Sequence, residues 1–222
     1  MAMLSGTRVL VTLGPTQAPI DAVRSIVNTS SGATGCAIAD AAVAAGADVV
    51  VLQGPGSRSP QASARLRIVS VCSVPDVLLA AERELGEGGF DAVVHVMAVL
   101  DYVPDSSSPS KTESGRDEWI LRLVPTPKVI DRIRAWAPGA LLIGFKLVVN
   151  ETPEGMRAAA LKLLERSGAD VVVANDLARV KADRHEALFF ERDGSVSARV
   201  DSKRAIAEAV VRRIAARRTD RV

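Results

Sequence analysis

The sequence is short of cysteines, aromatic residues and net charge, and each shortage excludes a class of protein. Its 222 residues include only two cysteines, Cys36 and Cys72, too few for a disulfide framework or a cysteine zinc site. Aromatic residues make up 3% of the chain, and 28 basic against 26 acidic residues leave a net charge of +2. With balanced charge and few aromatic residues, we expect no nucleic-acid partner.

Long apolar runs are also missing. No segment reaches the roughly 20 consecutive apolar residues of a membrane span. The first residues, MAMLSGTRVLV, show no charged leader followed by an apolar stretch. We therefore expect a cytoplasmic protein with no membrane partner.

Aliphatic residues dominate what is present, and they alternate between two patterns. Short β-branched runs predict strands at 8–13, 48–52, 66–71, 92–99, 141–145 and 170–174. Runs rich in alanine and leucine predict helices at 35–45, 75–85, 127–136 and 153–167. Because the strand runs show little polar alternation, both faces of the sheet should be covered by helices. The pattern predicts an α/β fold with a doubly wound, mostly parallel sheet.

Two regions depart from this alternation. Residues 101–122 are polar and serine-rich, and they are too long for a routine connection, so they form either a functional flap or a disordered insertion. Residues 187–200 carry RDGS between two short strand-like runs, which predicts a small C-terminal β-hairpin. A final helix should follow, with Asp201 or Ser202 as its N-cap. We expect one domain over residues 1–222.

Polar clusters follow four of the predicted strands, at 14–35, 95–111, 145–146 and 175–176. In open parallel sheets, ligands bind at the carboxyl ends of strands, so these clusters should form one site. The stretch SSGATG leads into a helix, where serine hydroxyls and the helix N-terminus are suited to phosphate. It is neither a P-loop nor a complete G-x-G-x-x-G motif, and a simple helix cap remains the alternative.

Several single residues in these clusters suit chemistry on an anion. Arg24 and Asn28 are four residues apart, which would place them on one side of a helical turn, where they suit a phosphate or an acyl-phosphate carbonyl. Asp101 could hold a metal ion, orient a substrate or cap the loop. Lys111, in the serine-rich flap, could neutralise a triphosphate or simply be solvated. His95 and His185 have no nucleophile motif beside them, so we expect structural or hydrogen-bonding roles.

The order of motifs resembles a known family. The stretch VLVTLGPTQAPIDAVRSIVNTSSGATGCAIADAAVAAGADV is similar to the start of phosphopantothenoylcysteine synthetase, an enzyme of coenzyme A biosynthesis. MAVLDY, KTES, TPKVIDRI, LLIGFKLVVNET, GADVVVANDL, ADRHEALFF and SKRAIAEAVVRRI follow in the family's order. The resemblance is strongest to the stand-alone bacterial form, so we expect no preceding flavin-binding decarboxylase domain.

The resemblance implies a Rossmann-like fold, a homodimer and a two-step ligation. The carboxylate of 4′-phosphopantothenate attacks the α-phosphate of CTP, with Mg²⁺, to give an acyl-cytidylate and pyrophosphate. The amine of L-cysteine then displaces CMP. Asn28, Arg24 and Lys111 match the family's catalytic positions, Asn28 holding the activated carbonyl and Lys111 offsetting charge on pyrophosphate. The expected nucleotide-binding residues are Gly14, Ser30, Ser31, Gly32, Gly35, Ala98, Asp101, Lys111, Phe145, Lys146, Asn175 and Asp176.

The chain also departs from the family. The flap has one lysine where fused bacterial enzymes carry several, and Arg116 could stand in for another. No resident metal site is expected. Two alternatives remain open: a non-catalytic nucleotide- or dinucleotide-binding module, or a related acid–amine ligase of a secondary pathway.

Overall fold

A central eight-stranded sheet organises the computed structural model, which describes residues 2–115, 117–180 and 184–219. The strands, in chain order, are β1 (Arg8–Leu13), β2 (Gln17–Pro19), β3 (Ser25–Val27), β4 (Asp48–Gln53), β5 (Leu66–Ser70), β6 (Ala92–His95), β7 (Tyr102–Pro104), β8 (Leu123–Pro125), β9 (Leu141–Val148), β10 (Val171–Asp176), β11 (Ala187–Glu191) and β12 (Val196–Val200). The helices are α1 (Ala33–Ala44), α2 (Val74–Gly86), α3 (Val129–Trp136), α4 (Pro153–Ser167) and α5 (Lys203–Thr219).

The sheet has the order β12-β11-β10-β9-β6-β1-β4-β5. The strands from β5 to β10 in this order pair in parallel, while β11 and β12 are antiparallel. This confirms the predicted doubly wound, mostly parallel α/β sheet with a C-terminal hairpin. The chain leaves β1 toward β4 and β5, then returns to β6 on the other side of β1, so a topological switch point lies between β1 and β6.

Two apolar layers cover the sheet. Apolar residues of α2, α3 and α4 pack on one face and those of α1 and α5 on the other. The interior strands are buried on both faces, which explains their continuous apolar runs. Helix α5 begins after Ser202, whose Oγ accepts a hydrogen bond from the backbone N of Ala205 at 3.2 Å, so Ser202 is the N-cap.

A short antiparallel ribbon of β2 and β3 was not expected. The backbone N of Ile20 donates to the Arg24 carbonyl, at 2.8 Å, and this turn folds residues 25–27 back onto 17–19. Arg24 and Asn28 therefore flank β3 in extended chain. The prediction that they share a helical turn is wrong, because strand pairing across the turn takes up the backbone groups that a helix would use.

The flap at 101–122 begins in a second ribbon, in which β7 pairs with β8. Of the two alternatives, a functional flap or a disordered insertion, the flap agrees better with this ordered pair of strands at its base. Arg116, considered as a second flap cation, lies outside the described residues. Within the described ranges, no helix is long and apolar enough to cross a membrane.

Candidate active site at the carboxyl ends of the strands

The glycines that follow β1 are required for packing. A Cβ at Gly35 would lie 2.4 Å from the Cβ of Leu13, and one at Gly14 or Gly32 would lie within 2.9 Å of the Ser57 side chain. Gly14 and Gly32 also have positive φ, 79° and 69°. These glycines therefore let the loop after β4 and the start of α1 pack closely against the end of β1, and their contact with a nucleotide stays a prediction.

Replacing Gly35 by alanine should therefore lower stability. The added methyl group meets buried β1 backbone and side chain, and overpacking of this kind costs about 1–3 kcal/mol. Gly86, at the end of α2, is the matched control, because a Cβ there meets nothing within 4 Å. Urea unfolding should show a lower midpoint for Gly35→Ala and an equal or higher one for Gly86→Ala. Equal midpoints for Gly35→Ala and the unmodified protein would contradict the packing role.

Helix α1 starts at this switch point, where the backbone N–H groups of Gly32 and Ala33 are only weakly hydrogen-bonded. Its N-cap, Gly32, is left-handed and makes no side-chain cap, and the first turn has no acidic residue. Ser30 and Ser31 hydroxyls reach the backbone N of Gly32 and Ala33 only at 3.4 Å. A helix N-terminus without a carboxylate cap has the polarity that an incoming phosphate needs.

A loop that the sequence reasoning missed lies against this helix start. It spans residues 54–58 after β4, and the backbone N of Arg58 donates to the Ser31 carbonyl at 2.9 Å. The Arg58 side chain is exposed. Ligands of open parallel sheets bind at the carboxyl ends of strands, and this rule also predicts the loop after β4, because β4 neighbours β1 and ends at the same edge of the sheet.

Asn28 bridges β3 and the segment after β6. Its Nδ2 donates to the carbonyls of Ala98 and Val99 at 3.2 and 3.1 Å. Both neighbours are acceptors, so the amide nitrogen must face them and Oδ1 stays free to accept. Holding an activated carbonyl, the role that the resemblance implies, would require a donor that is already engaged here. Asn28 fixes Ala98, which bridges to Pro15 beyond the paired strands, and contact of Asn28 with the activated acid stays a prediction.

His95 and Thr12 form a buried hydrogen-bonded pair next to the segment that follows β6. Thr12 Oγ1 lies 2.9 Å from His95 Nδ1 and accepts a hydrogen bond from the backbone N of Met97 at 3.3 Å. Burial lowers the pKa of His95 to about 4, so the ring is neutral at pH 7. His95 therefore has the hydrogen-bonding role expected from the sequence and adds no positive charge to the site.

Asp101, at the base of the flap, forms an ion pair with Lys128. Its backbone carbonyl accepts a hydrogen bond from the backbone N of Thr126, at 3.0 Å. The described residues contain no group of three His, Cys, Asp or Glu side chains that could hold a metal ion. Asp101 is thus paired with a cation, and its expected contact with the nucleotide stays a prediction.

The flap is tied to the β2–β3 turn through Arg24. Its Nη1 donates to Asp21 Oδ2 at 2.6 Å and to the Thr112 carbonyl at 3.3 Å, and its guanidinium carbon lies 5.0 Å from the Trp119 ring centre. Lys111 is exposed and has no hydrogen bond or ion pair within the described ranges. The structure therefore brings Arg24 beside the flap residues that adjoin Lys111, an arrangement invisible in the sequence.

The remaining predicted residues lie on β9 and β10. Phe145 and Lys146 are half-buried neighbours on β9, so their side chains point to opposite faces of the sheet. Asn175 and Asp176 are buried, and Asp176 Oδ1 accepts hydrogen bonds from the backbone N of Asn150 and of Ala178 at 3.0 Å. Asp176 thus joins the ends of β9 and β10, and nucleotide contact by these four residues stays a prediction.

Similar proteins point to one family. Residues 4–217 match the DNA/pantothenate metabolism flavoprotein C-terminal domain. The coenzyme A biosynthesis bifunctional protein CoaBC of Thermococcus kodakarensis is 38% identical over 205 residues, which are 92% of this chain and 50% of that protein. The chain thus spans about half the length of the curated CoaBC relatives that it matches.

Solved structures agree. The DNA/pantothenate metabolism flavoprotein from Streptococcus pneumoniae has a TM-score of 0.87 at 30% identity, covering 95% of this chain and 99% of that one. The C-terminal domain of CoaBC has a TM-score of 0.78 at 29% identity, covering 99% and 100% of the two chains. With a family match that spans nearly its whole length, the chain belongs to the DNA/pantothenate metabolism flavoprotein C-terminal domain family, the phosphopantothenoylcysteine synthetase family of coenzyme A biosynthesis.

Proposed function

We propose that the chain is a CTP-dependent phosphopantothenate–cysteine ligase. One observation supports this most: Asn28 is hydrogen-bonded to Ala98, which bridges to Pro15 just after β1, and the uncapped start of α1 packs against Leu13 at the end of the same strand. A phosphate-binding helix end beside a polar amide suits a reaction in which an acid becomes an acyl-phosphate. Gly14, Gly32 and Gly35 shape this point by letting the loops pack.

In the first step, a carboxylate oxygen of 4′-phosphopantothenate attacks the α-phosphorus of CTP. A new O–P bond forms, and the bond to the β-phosphate breaks, so pyrophosphate leaves with the electron pair. The helix N–H groups and the Ser30 and Ser31 hydroxyls donate to phosphate oxygens. Lys111 and Arg24 offset the negative charge that develops on pyrophosphate. Stabilisation of developing charge by preorganised groups is usually the largest single contribution to lowering the activation barrier. Arg58 adds a further cation at the edge of this loop.

In the second step, the amine of L-cysteine attacks the acyl carbon. The C–O bond to CMP breaks, and the nitrogen loses a proton to solvent. No side-chain nucleophile is required, and Cys36 and Cys72, both free thiols, stay outside the reaction. Asn28 holds Ala98 and Val99 in place, and its free Oδ1 is positioned to accept from the entering amine.

Phe145, Lys146, Asn175, Asp176 and Asp101 complete the nucleotide site in this proposal. Mg²⁺ would be carried by the triphosphate oxygens, since the described residues offer no three-ligand cluster of their own. The activity belongs to this domain, and the proposal keeps a cytoplasmic location and one domain over residues 1–222.

A homodimer is part of the proposal. Exposed apolar side chains lie along the flap and the β7–β8 ribbon, with Tyr102, Trp119, Ile120 and Leu123 between 40% and 78% exposed. A second copy of the chain would cover such a surface. Sedimentation equilibrium should give twice the 23.4 kDa chain mass, whereas a single-chain mass at micromolar concentration would contradict this part of the proposal.

The direct test supplies purified protein with 4′-phosphopantothenate, CTP, Mg²⁺ and L-cysteine. CMP and pyrophosphate should appear in equal amounts, and their release should require the acid. ATP in place of CTP tests the choice of base. Triphosphate binding without pyrophosphate release would favour a nucleotide-binding module, and turnover only with another acid would favour a secondary-pathway ligase.

A further inference from the structure

Asp21 sits at the centre of the contact between the β2–β3 turn and the flap. Its side chain is fully buried although it lies in a surface turn. Oδ1 accepts hydrogen bonds from the backbone N of Val23 and of Arg24 at 2.9 and 2.8 Å. This oxygen closes the turn, as aspartate commonly does.

The second oxygen reaches a different part of the chain. Oδ2 accepts from Arg24 Nη1 at 2.6 Å and from the backbone N of Thr112 at 3.1 Å. Arg24 Nη1 in turn donates to the Thr112 carbonyl at 3.3 Å. Asp21, Arg24 and Thr112 therefore form a closed ring of hydrogen bonds, which we call the Asp21 ring, and Thr112 is the neighbour of Lys111.

Two further contacts hold the flap against the same turn. The backbone N of Ser108 donates to the Ile20 carbonyl at 3.0 Å, and Trp119 covers the Arg24 guanidinium. Both contacts flank the Asp21 ring in sequence. Residues on either side of Lys111 are thus fixed while its own side chain stays exposed and able to reach a ligand.

Hydrogen bonds stabilise the charged form of Asp21. Burial opposes ionisation, but backbone N–H donors from Val23, Thr112 and Arg24, together with the Arg24 side chain, outweigh it and hold the pKa well below its ordinary value. The carboxylate is therefore charged at any pH near neutrality. A charged acceptor shared by a guanidinium and a backbone N–H makes hydrogen bonds stronger than neutral ones.

We propose that Asp21 is a positioning residue for the activation step, which fixes the flap against Arg24 so that Lys111 is held where pyrophosphate leaves. The inference rests on the proposed function. Asp21 need not touch the substrate. It sets the relative position of two cations, Arg24 and Lys111, which lie 87 residues apart in sequence. Displacing such groups by about 1 Å can slow a reaction about 100-fold.

The test replaces Asp21 with asparagine, which keeps an acceptor for the turn but loses the charge and directs an amide at the Thr112 N–H. Tryptic cleavage after Lys111, followed by mass spectrometry without substrate, should become about tenfold faster as the flap opens. Thr112→Pro removes the flap N–H donor and is the second variant if Asp21→Asn does not fold. Because trypsin does not cleave a Lys–Pro bond, its flap is probed by a glutamate-specific protease at the exposed Glu113, where cleavage should also become faster than in the unmodified protein. Fluorescence of Trp119 in a Trp136→Phe background should shift in both variants.

Asp170→Asn is the matched control. Asp170 also forms ion pairs with two arginines, Arg134 at 2.7 Å and Arg192 at 3.0 Å, but it lies at the amino end of β10, away from the flap. This variant should lose thermal stability and leave cleavage after Lys111 unchanged. Asp21→Asn that only lowers the melting temperature, with cleavage as in the unmodified protein, would overturn the positioning role.

A double-mutant cycle then links Asp21 to chemistry. Asp21→Asn should slow pyrophosphate release about tenfold with Lys111 present and less than about twofold in a Lys111→Ala background. Equal factors in both backgrounds would overturn the proposal. If the unmodified protein releases no pyrophosphate, the proposed function is wrong. If the protein is active but Asp21→Asn does not change its rate, only the proposed role of Asp21 is wrong.

Discussion

Lys111→Ala is expected to slow the first half-reaction on the order of 100-fold, the usual effect of removing one charge-stabilising group. Lys111 is the flap cation without a hydrogen bond or ion pair in the described ranges. Its ammonium is thus available to a ligand, and its charge opposes the charge that builds on pyrophosphate. The second half-reaction releases CMP and does not need this cation.

Single-turnover kinetics separate the two steps. Pyrophosphate release with CTP and the acid reports the first, and CMP release from preformed acyl-cytidylate and cysteine reports the second. Lys162→Ala is the control, because Lys162 is exposed on α4, and both rates should match those of the unmodified protein. Equal losses in the two steps for Lys111→Ala would show that Lys111 does not act on pyrophosphate.

Asn28→Asp is expected to let the first step proceed and to slow the amide step on the order of 100-fold, the cost of a misplaced reacting group. A carboxylate here would face the carbonyl oxygens of Ala98 and Val99, to which Nδ2 now donates at 3.2 and 3.1 Å. Repulsion turns the side chain away and moves these two residues. In the part of the chain that the structure describes, Asn28 makes no hydrogen bond with the start of α1 or with Ser30 and Ser31, the serines that we propose hold the triphosphate.

The variant should release one equivalent of pyrophosphate and then accumulate acyl-cytidylate, which quenched-flow chromatography detects. Gln61→Glu, the same amide-to-carboxylate change at an exposed position, should leave both steps unchanged. If pyrophosphate release falls as far as amide formation, Asn28 belongs to the activation step, and the division of roles between Asn28 and Lys111 is wrong.

Regular elements were predictable because their patterns are local. The run of apolar residues predicted β1 at its observed bounds, Arg8–Leu13, and proline with alanine and leucine predicted α4 at Pro153–Ser167. Burial on both faces imposes such runs on interior strands. The ribbon β2–β3 was missed because strands of three residues carry no periodicity, and their pairing depends on the turn that Asp21 closes.

The site was predictable in outline and not in its contacts. The carboxyl-end rule placed the polar clusters at one edge, yet it was not applied to the loop after β4 that holds Arg58. Spacing suggested a helical turn for Arg24 and Asn28, although i and i+4 residues also share a face of an extended strand. The reason for Gly35 was hidden too, since its contact is with Leu13 on another element.

The sequence by itself determined the family, the alternation of strands and helices, and the presence after β1 of glycines and serines that lead into a helix. Those properties follow from composition and order along the chain. Only the tertiary structure decided that Asn28 donates to the Ala98 segment and that Asp21 joins Arg24 to the flap. Hydrogen bonds between residues 70 and 91 positions apart depend on how strands and ribbons pack, and no local pattern encodes them.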